Sequence, residues 1–572
     1  MPATIPAKPQ SSGDIQRFET LIGTTTSSRS RMVLLLGLVA LATFLPGFWS
    51  IPPIDRDESR YAQASKQMME SGNYVDIRFQ DKPRHLQPVG IYWLHVAAAR
   101  LTGMGSEAPI WVHRLPSLLG ATIAVLLTFW VAVPLAGETG AFIAALFLAV
   151  SILLGFEARD GKIDAVLLSG VLAAMGFLAR AYLRKPLNLL HSMLFWVALA
   201  GGIMLKGPII LLVVGLTAGF LCIQERSTAW LRSLRPLAGM ALMLALILPW
   251  LVAITMVHGG EFFRAALGPS MLGKVASGQQ SHGLPPGMYL LYYWLTFWPA
   301  AALVITAAPW IWRNRTNRAV RFCLAWIIPT WVMFELIVTK LPHYVLPVYP
   351  AIAILLALAL VADQRPAAAL TWAMIAGAFI YLTVILGALY ALEKKMSIGA
   401  LLFGVMGVAL SAWGLLRANR LTAKAFAFSL ALGATFMHTA AFGLTVPRLD
   451  SVWVVPRLVE AVTRASSCSQ PKIASAGFHE PSLVFLAGTD TNLTTAVGAA
   501  DFLQNGECRV AIVEAQQEAR FLARMRRQKM DPVLRDRVKG IAIGRLRRVD
   551  LGIFMAARPN RLNSINPDEP TP

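Results

Sequence analysis

The chain has 572 residues, 56% hydrophobic and only 15% charged, with a formal net charge of +21 at pH 7 and a mean hydropathy of +0.56. A soluble protein carries about 25% charged residues, so this composition excludes a soluble globular molecule and describes a polytopic, α-helical membrane protein. The positive balance does not point to nucleic acid. The basic residues fall mainly in short loops between apolar runs, where they set orientation and attract anionic membrane lipids.

In chain order, residues 1–31 are polar, longer than a signal-peptide n-region and without a small-residue cleavage site. They read as a flexible cytoplasmic tail ahead of a signal-anchor helix. The first apolar run, Met32 to Ile51, is followed at once by Asp55-Arg56-Asp57-Glu58-Ser59-Arg60-Tyr61. Charge packed that densely at a membrane boundary marks a reaction or transport site more often than packing. In all, about thirteen runs of span length precede residue 450.

With the N-terminus inside, as Arg29 and Arg31 suggest, alternation puts Arg180/Arg184/Lys185, Arg226/Arg232/Arg235, Arg313/Arg315/Arg318/Arg321, Arg365 and Arg417/Arg420/Lys424 in inside loops. The outside loops hold the Asp55–Tyr61 cluster, Arg159 to Asp164, Lys206-Gly207-Pro208, His258 to His282, and Thr339 to Tyr344. In a bacterium this outer side is the periplasm. The first outer loop, 52–111, begins as a helix lying in the interface, with Tyr61, Ala64, Ser65 and Met68 on one face and a stop at Ser71-Gly72. Its second part, Pro88 to Leu101, carries Tyr92, Trp93 and His95 as a headgroup-level anchor. The glycine-bearing stretch from His258 to Pro286 reads as a lid or lipid-entry loop.

The ionisable groups suggest roles. Asp57 is placed to accept a proton from an attacking hydroxyl, with the helix N-cap as its structural alternative. Asp164 could join it, unless it pairs with Arg159 or Lys162. Asp55 and Glu58 read as supporting charges. Lys206 lies in an apolar stretch with no carboxylate nearby in sequence, and Lys340 is similar; buried ammonium groups need an anion, and a phosphate is the obvious one. The outer-side histidines His85, His258, His282 and His343 leave room for a divalent metal but show no paired-ligand spacing.

Residues 451–572 change character: a soluble domain over 451–560 and a disordered end at 561–572. Strand-like runs (Lys472–Ala476, Ser482–Leu486, Arg509–Glu514, Leu551–Ala556) alternate with helical ones (Val454–Ala465, Gln516–Met525), which suggests a small α/β periplasmic domain. Cys468 and Cys508 both lie there, so a disulfide is open to them outside the cytoplasm. Cys222 and Cys323 read as inert small hydrophobes.

The acidic pair of the first loop, Arg60-Tyr61-Ala62, Met69-Glu70-Ser71-Gly72-Asn73-Tyr74, Lys206-Gly207-Pro208 and Lys340-Leu341-Pro342-His343-Tyr344-Val345-Leu346-Pro347 together resemble the bacterial polyprenyl-phosphate-sugar glycosyltransferases, relatives of the lipid A aminoarabinose transferase and, more distantly, of protein mannosyltransferases. The resemblance covers about residues 32 to 450. It implies a C-type glycosyltransferase fold, a polyprenyl-phosphate sugar donor, a glycolipid or glycan acceptor, and inverting transfer at the outer face of the bacterial inner membrane. Carried over, it makes Asp57 and Asp164 the catalytic carboxylates. Lys206, Lys340, Tyr344 and Arg60 become donor-phosphate contacts, with Glu58, Tyr61, His85 and Gln87 in support and His282 at a metal-binding position. One departure stands out: where those transferases carry Phe-Glu-Lys-Pro, this chain has His85-Leu86-Gln87-Pro88, so a ligand glutamate and a lysine are absent. The rival class is a transporter or lipid flippase, but such proteins place charge near the midplane and repeat their halves, and neither feature is visible here.

Overall fold

A computed structural model describes residues 13–267, 284–466, 468–545 and 547–557. Contacts divide the chain into two compact units. One holds the residues up to Ile51 together with Ala64–Arg448; the other holds Pro52–Gln63 together with the residues from Leu449 onward. The sequence reading assigned Pro52–Gln63 to the membrane domain. The structure corrects this and groups that segment with the tail.

The first unit is a helical membrane domain. In lipid every backbone N–H and C=O must be satisfied inside its own segment, which makes helices the available answer. Among the described residues nine helices are long and apolar enough to cross a bilayer, or ten if the bent pair Gly13–Thr25 and Arg29–Phe44 is one span. The difference from the expected thirteen lies in broken segments. The 40-residue helix Ile110–Ala149 is interrupted at Gly137, whose φ of 67° and ψ of 176° are not helical. Ile209–Glu225 is a shorter apolar helix, and the apolar stretch around residue 300 is split into Met288–Thr296 and Leu303–Arg313. Large apolar side chains such as Leu237, Met256 and Ile398 face outward, as a lipid-facing surface requires.

Residues 1–31 were expected to be a flexible tail. From Gly13 onward they are not: Gly13–Thr25 is a helix, bent by 108° against the helix that follows. Ile15 and Ile22 are buried, Phe18 packs edge-on against Trp413 at 5.0 Å, and Glu19 accepts from the Thr422 backbone N–H at 2.7 Å. Apolar residues at helical spacing give this segment a face to bury.

The helix Asp57–Ser71 ends where expected, with Gly72 in the left-handed region at φ +69°. Tyr61 through Ser65 are buried in succession, while Asp57, Glu70 and Ser71 stay exposed. The Pro88–Leu101 anchor needs a correction. Of Tyr92, Trp93 and His95 in the helix Gly90–Leu101, only Trp93 is exposed; Tyr92 and His95 are buried, Tyr92 accepting from Arg84 Nε at 3.2 Å and His95 lying 3.2 Å from Ser65 Oγ.

The second unit carries a five-stranded sheet in the order β4-β3-β5-β7-β6, where β3 is Lys472–Ala476, β4 Asn492–Thr494, β5 Arg509–Glu514, β6 Pro532–Ala542 and β7 Arg547–Ala556. β3 is parallel to β4 and β5; β7 is antiparallel to β5 and β6. Helices Val454–Ala465, Pro481–Ala487, Ala496–Gln504 and Ala515–Arg527 complete an α/β unit. Ser482–Leu486, read as a strand, is a helix, with Pro481 at its first position, where a missing N–H is harmless. Cys468 and Cys508 form a disulfide. The stretch 558–572 lies outside the described residues.

Candidate active site

Within the membrane unit three helix ends bring charge together. Glu157 closes the short helix Ile152–Glu157, Asp164 opens Asp164–Tyr182, and Lys206 is the last residue of Leu189–Lys206, which stops at Gly207 with φ +65°. His343 and Tyr344 come from the 3-10 turn Pro342–Val348. Gly120 fixes the approach: a Cβ there would lie 2.8 Å from Val166 Cα, so only glycine lets the helix Ile110–Ala149 press against the backbone one turn below Asp164. Ser117 on the same helix donates to the Lys162 carbonyl at 2.9 Å and pins the turn between Glu157 and Asp164.

Lys206 Nζ donates to Asp164 Oδ1. The same ammonium lies 5.4 Å from the centre of the Tyr344 ring, a cation–π distance. His343 stands between two carboxylates, Nδ1 3.7 Å from Glu157 and Nε2 3.8 Å from Asp164. Lys162 meets Asp160 at 2.8 Å and Glu157 at 3.4 Å. Three carboxylates, two ammoniums and one imidazole thus share a nearly dry cluster in which Glu157, Asp160 and Asp164 are each less than a tenth exposed. Buried charge of this density survives only when paired, and the pairing fixes the position of the Lys206 ammonium. Glu157, Asp164 and His343 are close enough to hold a cation, but Lys162 and Lys206 already supply its positive charge.

Each expected residue has a definite place. Asp164 pairs with Lys206, not with Arg159: the Arg159 guanidinium turns away to the carbonyls of Pro46 (2.6 Å), Gly155 and Thr43. Lys206, which has no carboxylate nearby in sequence, meets one 42 positions away. Lys340 is 2% exposed and donates to the carbonyls of Glu335 (2.8 Å) and Ile337 (2.7 Å), with the Glu335 carboxylate 3.6 Å away. It therefore clasps the C-terminal end of Arg318–Leu336, which differs from the free phosphate contact expected. Tyr344 sits at Lys206 as described. His85 is buried beside Asp76, and Gln87 is half-buried. His282 and most of the expected lid lie outside the described residues; what precedes them includes the helix Glu261–Leu267.

The first-loop cluster belongs to the tail unit. Asp57 begins the helix Asp57–Ser71 with its side chain half exposed and 3.8 Å from Arg60. Glu58 is buried and accepts from the Ile54 N–H at 2.7 Å, while Ser59 Oγ donates to the Ile54 carbonyl at 2.7 Å. Tyr61 is buried. Asp55 accepts from Ser482 Oγ, and Arg56 donates to the Gly544 carbonyl and lies 3.9 Å from Glu480. Burial pushes the Asp55 carboxyl up to about 6, with Ser482 and Arg56 opposing and Glu480 reinforcing the shift.

Sequence reasoning missed Glu157, Asp160, Lys162 and His343 as members of the cluster. A signal was available: Glu157, Asp160 and Asp164 recur at spacings of three and four at the edge of a span, where carboxylates are rare.

Comparisons with known proteins bear on the fold and the superfamily. The fold is the C-type glycosyltransferase fold: the crystal structure of ArnT from Cupriavidus metallidurans bound to undecaprenyl phosphate superposes with a TM-score of 0.72 at 19% identity, covering 92% of this chain and 98% of that one. A family model described as dolichyl-phosphate-mannose-protein mannosyltransferase matches residues 86–252. Among characterised sequences, the chain is 27% identical over 308 residues to an undecaprenyl phosphate-alpha-4-amino-4-deoxy-L-arabinose arabinosyl transferase of Edwardsiella ictaluri (strain 93-146), and 28% identical over 344 residues to one of Pseudomonas fluorescens (strain Pf0-1). These alignments span 54% and 60% of the relatives' length and 53% and 58% of this chain. The superfamily resemblance carried by the motifs is borne out.

Proposed function

We propose that this protein is a membrane glycosyltransferase that moves a sugar from a polyprenyl-phosphate donor to an envelope acceptor, lipid A or another glycolipid or glycan, at the periplasmic face of the inner membrane. The observation that carries the reading is Lys206: a half-buried ammonium held by Asp164 and faced by Tyr344, in a fold shared with a protein solved with undecaprenyl phosphate. Such a group suits a phosphate, and a lipid-linked donor accounts for a membrane fold. A transporter is not favoured, since these charges gather at helix ends.

The chemistry is a displacement at the anomeric carbon. The bond from that carbon to the phosphate oxygen breaks as the acceptor oxygen attacks from the opposite face, giving inversion. Lys206 stabilises the charge growing on the leaving phosphate. Asp164 and His343 hold Lys206 in place, and Asp57 takes the proton of an acceptor hydroxyl, with Arg60 beside it as a further phosphate contact. The disulfide supports a tail outside the cytoplasm, and the arginine-rich loops support the same orientation.

The test is transfer from a polyprenyl-phosphate sugar by the purified, lipid-supplemented protein, together with mass spectrometry of envelope glycolipids from a deletion strain. Loss of one sugar-modified species and its restoration in vitro support the reading. Unchanged glycolipids and no donor turnover sink it.

A further inference from the structure

The helices that meet at Lys206 meet again at their other ends. Asp164–Tyr182 and Leu189–Lys206 each have one end in the Lys206 cluster, and their far ends flank a cavity of about 500 Å³ lined by Tyr182 and Leu187. Ile209–Glu225 starts just after Lys206 and ends at this cavity, and Arg318–Leu336 starts there. Asp164–Tyr182 has 19 residues, about 28 Å of helix at 1.5 Å per residue, close to the ~30 Å of a hydrocarbon core. The cavity therefore opens at the opposite membrane surface. One wall is the 3-10 segment Ala229–Leu234. The helix Leu189–Lys206 holds it in place: Ser192 Oγ donates to the Ser233 carbonyl and Trp196 Nε1 to the Leu234 carbonyl, each at 2.8 Å. Trp230 of that segment packs edge-on against Tyr182 at 5.7 Å.

We propose that this cavity binds the phosphate of an anionic phospholipid headgroup through Arg184, Lys185 and Arg318. These three cationic residues line it and are exposed, and none of them forms an ion pair among the described residues. The carboxylate in the lining, Glu225, is already engaged: it accepts from Arg321 Nη1 at 2.6 Å and from the Tyr182 hydroxyl at 2.8 Å. The sequence offers no substitute. Glu225 is the one acidic residue between Asp164 and Glu261, and none falls between Glu261 and Glu335. The cavity thus keeps an uncompensated positive charge.

Guanidinium groups pair with phosphate oxygens by charge-assisted hydrogen bonds, and basic pockets between spanning helices hold anionic lipid headgroups. The rings of Trp230 and Tyr182 suit a headgroup layer, where amphipathic aromatics collect. The lipid source follows from the rim. Leu189, Leu190, Ile223 and Leu237 stand close in sequence to lining residues and are exposed, which gives acyl chains an apolar surface to lie along. Bound there, the headgroup ties together four helices, two of which carry Asp164 and Lys206 at their other ends. This inference does not rest on the glycosyl-transfer reading.

The test uses the full-length protein, delipidated in detergent. Thermal melting is titrated with short-chain phosphatidylglycerol, with phosphatidylcholine of the same chain length, and with inorganic phosphate. Phosphatidylglycerol is expected to raise the melting temperature saturably, and phosphatidylcholine, whose own ammonium cancels the charge, is not. Arg184→Gln/Arg318→Gln should raise the half-saturating phosphatidylglycerol concentration by about tenfold or more. Arg417→Gln/Arg420→Gln removes the same charge from another basic loop and should keep the wild-type value. Lys185→Gln/Arg318→Gln replaces the first variant if that one does not fold. Protection by inorganic phosphate alone assigns the cavity to the free anion and overturns the lipid. A wild type that does not respond to phosphatidylglycerol, or pocket and control variants that respond alike, overturns the site.

Discussion

Lys206 ends one helix, Asp164 begins another, and their charged groups meet although 42 positions separate them in the chain. The pair has a consequence for kinetics. If Lys206 stabilises the departing phosphate, Lys206→Ala lowers kcat/KM for transfer by about 10²–10³-fold and raises the donor KM, while Lys206→Arg keeps part of the activity. Steady-state kinetics with a polyprenyl-phosphate sugar measures this. A donor KM unchanged in Lys206→Ala removes Lys206 from phosphate binding.

Asp57 and Glu58 are neighbours with opposite expectations. Asp57 is half exposed, so Asp57→Asn should abolish transfer and leave melting unchanged. Glu58 holds the Ile54 N–H, so Glu58→Ala should lower stability by about 1–3 kcal/mol. Turnover and thermal melting of both variants separate the two roles, and an active Asp57→Asn enzyme refutes the catalytic assignment.

Lys340 should behave unlike Lys206. Its ammonium satisfies helix-end carbonyls and pairs with Glu335, so Lys340→Ala costs about 1–3 kcal/mol of stability and changes the donor KM little. A large rise in donor KM with unchanged melting would return Lys340 to the phosphate.

Asp55 makes the tail unit sensitive to pH. Its carboxyl is raised from 3.8 to about 6 in the fold. An acid so shifted contributes stability that is complete below the unfolded value and is lost as pH rises through the folded one. Between pH 4 and 6 the wild type should lose this contribution and Asp55→Asn should not. Chemical denaturation of both proteins at pH 4 and pH 7 reads the difference, and parallel pH profiles exclude it.

The Cys468–Cys508 bond closes a loop with a sequence separation of 40. Reduction, or Cys468→Ser/Cys508→Ser, should lower the stability of the tail unit by about 2–4 kcal/mol. Denaturation with and without reductant measures it.

The membrane character and the α/β tail were legible because apolar run length and the strand and helix patterns are local properties of sequence. The partner of Lys206 was not, since helix packing alone decides which ends meet. The neighbours of Lys340 were hidden for the same reason: which carbonyls and which carboxylate its ammonium meets is decided by how the helix before it ends. The number of apolar runs exceeds the number of long helices partly because Ile110–Ala149, counted once, holds two runs separated by Gly137-Glu138-Thr139-Gly140, with the helix broken at Gly137. Strand β6 was missed because Arg535, Asp536, Arg537 and Lys539 mask its pattern.

Because Pro52–Gln63 completes a unit whose remaining residues are translated hundreds of codons later, Asp55 and Arg56 must wait for Ser482, Glu480 and Gly544 before their contacts exist, Asp55 across a separation of 427 positions. The tail unit is therefore not closed within its own run of sequence. A stop codon after Arg448 strips Asp55 and Arg56 of these contacts, leaving the segment that carries Asp57 unsupported in an otherwise complete membrane body.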